Sequence, residues 1–176
     1  MATYIALLRG INVGRNKRIA MARLRELLTG LGYDDVRTLL QSGNAVFTSS
    51  RRSAEAVGAE IERAIRSELG LDVGVLIRTA AQLDAAVQAN PLAAAGRDPS
   101  RLVVLFLSDA PAKAAIPTPE DVEPEEWHIG QREIYLWCPE GILKSALVPL
   151  FSDKQLGVQV TARNWRTVCK LAELVG

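Results

Sequence analysis

The residues best suited to bind an anion lie near the start of the chain. Segment 9–18 reads RGINVGRNKR, in which four basic side chains and two asparagines are interspersed with two glycines, and the first acid of the chain is Glu26. Guanidinium and ammonium groups attract an anion, and glycines allow backbone N–H groups to approach it. This loop contributes the first candidate ligand-binding residues, which are Arg9, Gly10, Asn12, Gly14 and Lys17.

A second polar segment, Gln41-Ser42-Gly43-Asn44, has the composition of a hairpin turn. Asn and Gln side chains both donate and accept hydrogen bonds. In a βαββαβ plait with right-handed crossovers, the first and third strands are antiparallel neighbours, so the end of one meets the start of the other. We therefore expect the turn beside the basic loop, which adds Gln41, Ser42 and Asn44 to the candidate site.

A purely structural interpretation of both segments stays open. The glycines then only supply turn geometry, Ser42 and Asn44 bond their own backbone, and the basic side chains are solvated. The loop also differs from a P-loop, because Gly10, Gly14 and Lys17 lack the GxxxxGK[ST] spacing. The pattern indicates an anion site without defining its ligand.

A third candidate segment is Arg163-Asn164-Trp165. One interpretation is that an arginine and an aromatic ring face a ligand from the start of a helix. The other is that Asn164 caps that helix while Trp165 seals the edge of the core. Both interpretations stay open at this point.

Side chains for catalysis are scarce. His128 is the single histidine, and no spacing of Cys, His or carboxylate residues is typical of a metal site. Neither Cys138 nor Cys169 lies in a basic loop that would activate a thiol. Ser42 with Lys17 is the one conceivable nucleophile pair, but it needs a lysine removed from water. We therefore assign no catalytic residue, metal or cofactor, and favour binding over bond-breaking.

Binding of single-stranded RNA on an open sheet face is a further alternative. RNA-recognition domains share the plait and stack bases on aromatic residues of strands 1 and 3. Tyr4 occupies such a position, but the third strand offers Asn44 and Val46 instead of rings. Aromatic content is only 5 %, and strands that are apolar on both faces predict a covered sheet. These features disfavour RNA binding on the sheet.

The predicted elements of the first half follow the order βαββαβ plus a helix. Apolar residues on both faces of segment 3–9 predict a buried central strand. The remaining predictions are a helix over 20–31, strands over 35–40 and 44–49, a helix over 53–69, a strand over 72–78, and a helix from the capping box at Thr79 and Gln82 to Asn90-Pro91.

The second half repeats this pattern in outline after a linker over 91–100, where Pro, Gly and Asn cluster. We predict a strand over 101–107, a Pro-rich stretch, a hairpin of 127–129 and 133–138, a helical stretch over 142–156 interrupted by Pro149, a strand over 157–161, and a last helix capped by Asn164. The chain therefore divides into a first subdomain with a trailing helix (1–90), the linker, and a second subdomain with a C-terminal helix (101–176).

The composition is typical of a globular, cytoplasmic protein without membrane association. Hydrophobic residues make up 48 % of the chain and charged residues 23 %, and no apolar run reaches the ~20 residues of a spanning helix. The net charge of +1 disfavours a dedicated polyanion binder. Residues 1–52 nevertheless carry nine basic and three acidic side chains, whereas 120–133 is acidic. This asymmetry fits a charged partner, two paired copies or plain solvated surface.

Three blocks, YIALLRGINVGRNKRIAM, LLQSGNAVF and VTARNWRTVCKLAEL, resemble the signature of the bacterial domain-of-unknown-function family 1697. The resemblance runs from Tyr4 to Leu174. It implies an α+β fold of duplicated ferredoxin-like βαββαβ plaits, with two subdomains packed together, and no established activity. The signature positions include all the candidate residues above, together with Gly43 and Thr161.

The favoured function is a cytoplasmic binding module for an anionic ligand. The ligand is a small phosphate-bearing molecule, a nucleotide or a nucleic acid, held by the basic loop and the QSGN turn. The alternatives are an enzyme of unknown reaction at the same patch, and a purely structural role for the motif residues.

Overall fold

The chain folds into two compact units in the computed structural model, which describes residues 1–51 and 53–176. The first unit comprises Met1–Asp84 with Leu171–Gly176, and the second comprises Ala85–Lys170. Each unit contains one four-stranded antiparallel sheet, so the chain is a mixed α+β protein.

The boundaries of these units differ from the predicted subdomains at two helices. Residues 85–88 end a helix that starts in the first unit, and residues 171–176 end a helix that starts in the second. The predicted linker, 91–100, contains turns but neither helix nor strand. Within the described part of the chain, no helix combines the length and hydropathy needed to cross a membrane.

The first unit is organised around its first strand. The elements are β1 (Ala2–Leu8), α1 (Met21–Gly30), β2 (Asp34–Leu39), β3 (Asn44–Ser49), α2 (Ala54–Leu69) and β4 (Val75–Thr79), followed by α3 (Ala80–Gln88). The strand order is β2-β3-β1-β4, so β1 lies between β3 and β4. This confirms the predicted central position of the first strand and its antiparallel pairing with the third.

Both faces of β1 are buried, which explains its unbroken apolar sequence. Tyr4, Ala6 and Leu8 belong to the core formed with α1 and α2, and Ile5 and Leu7 on the opposite face are fully buried. Tyr4 is only 2 % exposed. Tyr4 therefore offers no exposed ring for base stacking on this sheet.

Local hydrogen bonds mark the start of α2 and of α3 at the positions that the sequence predicted. Ser53 Oγ accepts from the N–H of Ala56 at the start of α2, and Gly70 ends that helix in the left-handed conformation. The predicted capping box of α3 is confirmed, because Thr79 N–H donates to Gln82 Oε1 at 2.9 Å and Gln82 N–H donates to Thr79 Oγ1 at 3.2 Å.

The second unit has the same strand order with shorter crossovers. Its strands are β5 (Leu102–Leu107), β6 (Glu126–Ile129), β7 (Glu133–Trp137) and β8 (Val160–Asn164), arranged β6-β7-β5-β8. A single 3₁₀ turn, Lys113–Ala115, lies between β5 and β6. The chain then passes through 3₁₀ turns at Ile142–Lys144 and Val148–Phe151, α4 (Asp153–Leu156), β8 and finally α5 (Trp165–Val175).

Two predictions for the second half need correction. Segment 142–156 forms three short pieces instead of an interrupted helix, because Ser145 has an extended backbone and Pro149 lies in the next 3₁₀ turn. The last strand begins at Val160 instead of Gly157. Gly157 has a left-handed backbone that ends α4, and Asp153 Oδ1 accepts from the N–H of Val160 at 3.1 Å.

Candidate functional site

The basic loop and the QSGN turn meet at one edge of the first sheet. In the antiparallel pairing of β1 with β3, Leu7 lies opposite Asn44, and the N–H of Leu8 donates to the carbonyl of Gly43 at 2.9 Å. The predicted proximity of the two segments is thus confirmed, and it follows from the strand order alone.

The basic loop forms a small hairpin at residues 12–18, which we call the basic hairpin. The N–H of Asn12 donates to the carbonyl of Lys17 at 3.0 Å, and Val13 pairs with Asn16 in an isolated antiparallel bridge. Gly14 has a φ of +62° while Arg15 does not have a positive φ, the pattern of a type II′ turn. Gly14 is therefore required by the backbone at the tip of the hairpin.

The side chain of Asn12 joins the basic hairpin to the turn. Its Nδ2 donates to the carbonyls of Ile19, at 2.9 Å, and Gln41, at 2.7 Å, while its Oδ1 accepts from the N–H of Ile19 at 2.9 Å. Both amide hydrogens are therefore used by backbone partners. Asn12 positions the hairpin, and its left-handed φ of +55° is one that asparagine tolerates.

The side chain of Asn44 holds the turn from within. It is fully buried, and its Nδ2 donates to the carbonyl of Leu39 at 2.7 Å and to Ser42 Oγ at 3.0 Å. This geometry matches the structural interpretation of Asn44. Gln41 and Ser42, by contrast, lie exposed.

Gly43 is required by packing as well as by backbone conformation. Its φ is +90°, and a Cβ there would lie 2.7 Å from Ile11 Cδ1 and 2.9 Å from Leu8 Cβ. The turn can therefore approach the end of β1 closely only because residue 43 has no side chain.

The cations of the basic hairpin face water. Arg15, Lys17 and Arg18 are exposed, whereas Arg9, which precedes the hairpin, is half-buried. Among residues 1–51 and 53–176, neither Arg15 nor Arg18 forms an ion pair or a side-chain hydrogen bond. The result is a compact positive surface on a hairpin whose backbone is held in place by Asn12.

A third segment, which the sequence reasoning missed, completes this edge of the sheet. The N–H of Arg9 donates to the carbonyl of Gly74 at 2.9 Å, just before β4. Arg66 Nη2 lies 2.6 Å from Asp72 Oδ1, and this hydrogen-bonded ion pair lowers the pKa of the Asp72 carboxyl. The positive charge of Lys17 lowers the same pKa further. The strand order also predicts that Gly74 lies beside Arg9, since β4 pairs antiparallel with β1 and the start of β4 therefore meets the end of β1.

Helix α1 begins directly after the basic hairpin without a capping side chain. Its N-cap residue is Ala20, and its first turn contains no acid. The first N–H groups of α1 therefore lack the side-chain acceptor that usually satisfies them, and they add positive potential to this edge.

The third candidate segment belongs to the second unit. Arg163 is buried, its Nη1 donates to Thr161 Oγ1 and to the carbonyl of Ala162, both at 2.8 Å, and burial lowers its pKa to about 10. Asn164 Oδ1 accepts from the N–H of Thr167 at 2.9 Å. The predicted helix-cap role of Asn164 is confirmed, and Trp165, half-buried, opens α5.

No catalytic group stands out near the basic hairpin. Lys17 is exposed, so it is not the desolvated lysine that a Ser42–Lys17 pair would need. His128 is exposed in the second unit, and burial raises the pKa of the Cys138 thiol to about 11, which makes it a poor nucleophile. Over the residues that the structure describes, no three His, Cys, Asp or Glu side chains are placed to hold a metal ion.

Comparisons with known proteins support the first two of the three sequence blocks, and the third block lies outside the matched family model. The family model described as "Protein of unknown function (DUF1697)" matches residues 1–135, which contain the basic loop and the turn. The chain is also similar to the solved structure of the conserved bacterial protein SP0830 from Streptococcus pneumoniae, with 26 % identity, a TM-score of 0.79 and 99 % coverage of each chain. Among curated proteins, none matches.

Proposed function

The chain belongs to the DUF1697 family of proteins of unknown function, and from the basic hairpin we propose that it binds a phosphate-bearing or otherwise anionic ligand. One observation carries this proposal. Three cations, Arg15, Lys17 and Arg18, are exposed within four consecutive residues, on a backbone that internal hydrogen bonds hold in one conformation. Because the hairpin is preorganised, little conformational entropy is lost when an anion binds.

The backbone around these cations is accessible to a ligand. A Cβ at Gly10 or Gly14 would meet no atom within 4 Å, so both glycines border open space. The uncapped start of α1 follows directly in the chain. Exposed N–H groups and cations together are the recurrent components of phosphate sites.

The candidate residues divide into two roles in this proposal. Arg9, Lys17 and their basic neighbours attract the anion, whereas Asn12 and Asn44 keep the loop and turn in register through the bonds described above. Gln41 and Ser42 are exposed beside the hairpin and are available to contact the ligand. The exposed Lys17 favours binding over the alternative of an enzyme at this patch.

We further propose that both units are ferredoxin-like plaits derived from one duplicated unit. The equal strand orders, β2-β3-β1-β4 and β6-β7-β5-β8, support this. A cytoplasmic location is part of the same proposal and is supported by Cys138 and Cys169, which form no disulfide in the structure.

The test is equilibrium binding of tripolyphosphate and of nucleotides at low and moderate salt. We expect binding that weakens as salt rises and falls at least tenfold in Arg15→Glu/Lys17→Glu. The matched control is Lys113→Glu/Lys144→Glu, which makes the same change of charge at two exposed lysines of the second unit. The proposal fails if the wild-type chain binds no phosphate-bearing probe at low salt, or if this control weakens binding as much as Arg15→Glu/Lys17→Glu does.

A further inference from the structure

Two aliphatic side chains lie exposed beside the basic hairpin. Val13 is 70 % exposed and Leu40 is 51 % exposed. Their chain neighbours Asn12 and Gln41 are joined by a hydrogen bond of 2.7 Å, so both belong to the surface at which hairpin and turn meet. We call Val13 and Leu40 the apolar pair.

Leu40 is also held in an unfavourable backbone conformation. Its φ is +62°, in the left-handed region that glycine and asparagine enter far more readily than leucine. Residue 40 opens the four-residue loop between β2 and β3, where the N–H of Gly43 points back to the carbonyl of Leu40. The conformation is thus imposed by the loop, and either glycine or asparagine would satisfy it with less strain.

A leucine at this position gains little within the chain itself. Half of its side chain remains in water, so burial offsets only part of the backbone strain. Residues held in strained backbone conformations cluster at active sites and ligand clamps. Leu40 therefore points to a ligand with an apolar portion.

The described residues offer no aromatic platform for a strand of bases. Every Phe, Tyr and Trp side chain in the described part of the chain is buried or half-buried. Successive bases of a single-stranded nucleic acid need several stacking surfaces. Val13 and Leu40 offer an exposed aliphatic surface instead.

We propose that the apolar pair packs against the nucleoside of a single nucleotide while the basic hairpin holds its phosphates. This inference rests on the proposed anion site and specifies its ligand. Val13 lies in the hairpin between Asn12 and Gly14, so the phosphate-binding cations and the apolar contact belong to the same short segment. A ligand that has only phosphate groups uses the cations and leaves the apolar pair in water.

The experiment compares adenosine triphosphate with inorganic tripolyphosphate in calorimetric titrations of the full chain. Tripolyphosphate carries at least as much negative charge, so electrostatics alone does not favour the nucleotide. We expect the nucleotide to bind about tenfold more tightly, since the nucleoside buries apolar area against Leu40 and Val13. Leu40→Asn and Val13→Ser should each remove most of this preference and leave tripolyphosphate binding unchanged.

Two controls separate binding from folding. Leu40→Asn should keep or raise the melting temperature, because asparagine relieves the left-handed strain. Leu143→Asn changes a side chain that is 99 % exposed in the second unit, and it should alter neither ligand's affinity. A lower melting temperature for Leu40→Asn would mean that Leu40 has a structural role, and it would overturn the inference.

The remaining outcomes distinguish this inference from the proposed function. Equal affinity for the two ligands would overturn the nucleotide inference and leave the anion site standing. Binding of a single-stranded RNA without any nucleotide binding would overturn it in favour of a nucleic acid. Absence of binding by every probe would remove the anion site together with the inference.

Discussion

The end of the first strand in each unit is hydrogen-bonded in the same way, although the residues differ. In the first unit, Leu8 N–H donates to Gly43 and Arg9 N–H donates to Gly74, each at 2.9 Å. In the second unit, Leu107 and Ser108 repeat this pattern, at the same distance, with the carbonyls of Arg132 and Gln159. The two edges are therefore equivalent positions in two sheets of the same strand order.

The segments that follow these equivalent strands differ in charge, because residues 108–116 contain one acid and one base, Asp109 and Lys113. After β1 the chain forms the basic hairpin with its exposed cations. After β5 the chain continues as Ser108-Asp109. Ser108 Oγ accepts from the N–H of Gln159 at 2.9 Å, and Asp109 Oδ1 accepts from the N–H of the next residue, Ala110, at 2.8 Å. The sheet supplies the edge, and the loop that leaves it determines the charge of that edge.

The two units share a feature at the end of their last strands, β4 and β8. Arg78 pairs with Ile5 in the first sheet, and Arg163 pairs with Val104 in the second, and both arginines are buried. In each unit the following residue caps the next helix. The units thus agree where strand passes into helix and differ at the edge proposed to bind a ligand.

The largest expected effect tests how closely the first edge is packed. Gly43→Ala combines a φ of +90° with a Cβ 2.7 Å from Ile11 Cδ1. We expect a loss of about 3 kcal/mol of stability, or a fall of roughly 6–12 °C in melting temperature. Thermal denaturation followed by circular dichroism measures this.

Gly10→Ala is the control for Gly43→Ala. Gly10 has a similar positive φ of +66° but no atom within 4 Å of the added Cβ. It should cost only the conformational term of about 1 kcal/mol. Equal effects of the two substitutions would contradict a steric requirement at Gly43.

The next prediction compares two asparagines, one in each unit. Asn44→Ala leaves the carbonyl of Leu39 without its buried donor, and we expect a cost of about 2 kcal/mol. Asn164→Ala removes the cap of α5 and should cost about 1 kcal/mol. Chemical denaturation of the two variants checks the order.

Aspartate substitutions make the comparison of the two asparagines sharper. Asn164→Asp keeps the acceptor that caps α5 and should preserve stability. Asn44→Asp replaces two buried donor bonds with a buried charge, and it should destabilise more than Asn44→Ala does. Equal tolerance of aspartate at both positions would contradict the donor role of Asn44.

A third prediction concerns Tyr135 and alkaline pH. Burial, together with the negative charge of Glu133, raises the pKa of Tyr135 from 10.0 to about 12. Because the folded state binds the phenolic proton more tightly, the resulting stability is complete below pH 10 and is lost as pH rises towards about 12. Denaturation midpoints measured from pH 9 to pH 12 should fall.

Tyr135→Phe is the matched variant for this pH dependence. It should remove part of the alkaline loss and cost about 1 kcal/mol at neutral pH, where the Tyr135 hydroxyl donates to the carbonyl of Ala86 at 2.7 Å. An unchanged alkaline profile in Tyr135→Phe would assign the loss to other groups.

The smallest effect is expected for the exposed cations of the basic hairpin. Arg15→Ala and Arg18→Ala should change stability by less than about 0.5 kcal/mol, because neither side chain has an ion-pair partner among the described residues. Ligand binding should fall in the same variants. Thermal denaturation beside a binding titration checks both, and a clear loss of stability would indicate that these cations serve the fold.

Much of the fold follows from patterns along the chain. Apolar residues on both faces of β1 required a covered, central strand, and the capping pairs at Thr79–Gln82 and Asn164–Thr167 marked helix starts. These signals are local, since they depend on periodicity and on residues three or four positions apart. The prediction of one interrupted helix over 142–156 was wrong, because the backbone is already extended at Ser145, before Pro149.

The candidate site was predicted only in its outline. The order of strands placed the basic loop beside the turn, because antiparallel neighbours share an edge. Only the tertiary structure decided that Asn12 donates both amide hydrogens to backbone carbonyls and that Asn44 donates to Leu39 and Ser42. It also decided that Leu40 is exposed with a positive φ. The bond from Asn12 to the carbonyl of Gln41 spans 29 positions of the chain, and spacing along the sequence does not specify it. The bonds of Asn44 are local, but a side chain of this kind has several backbone groups within reach, and the folded turn decides which of them it meets.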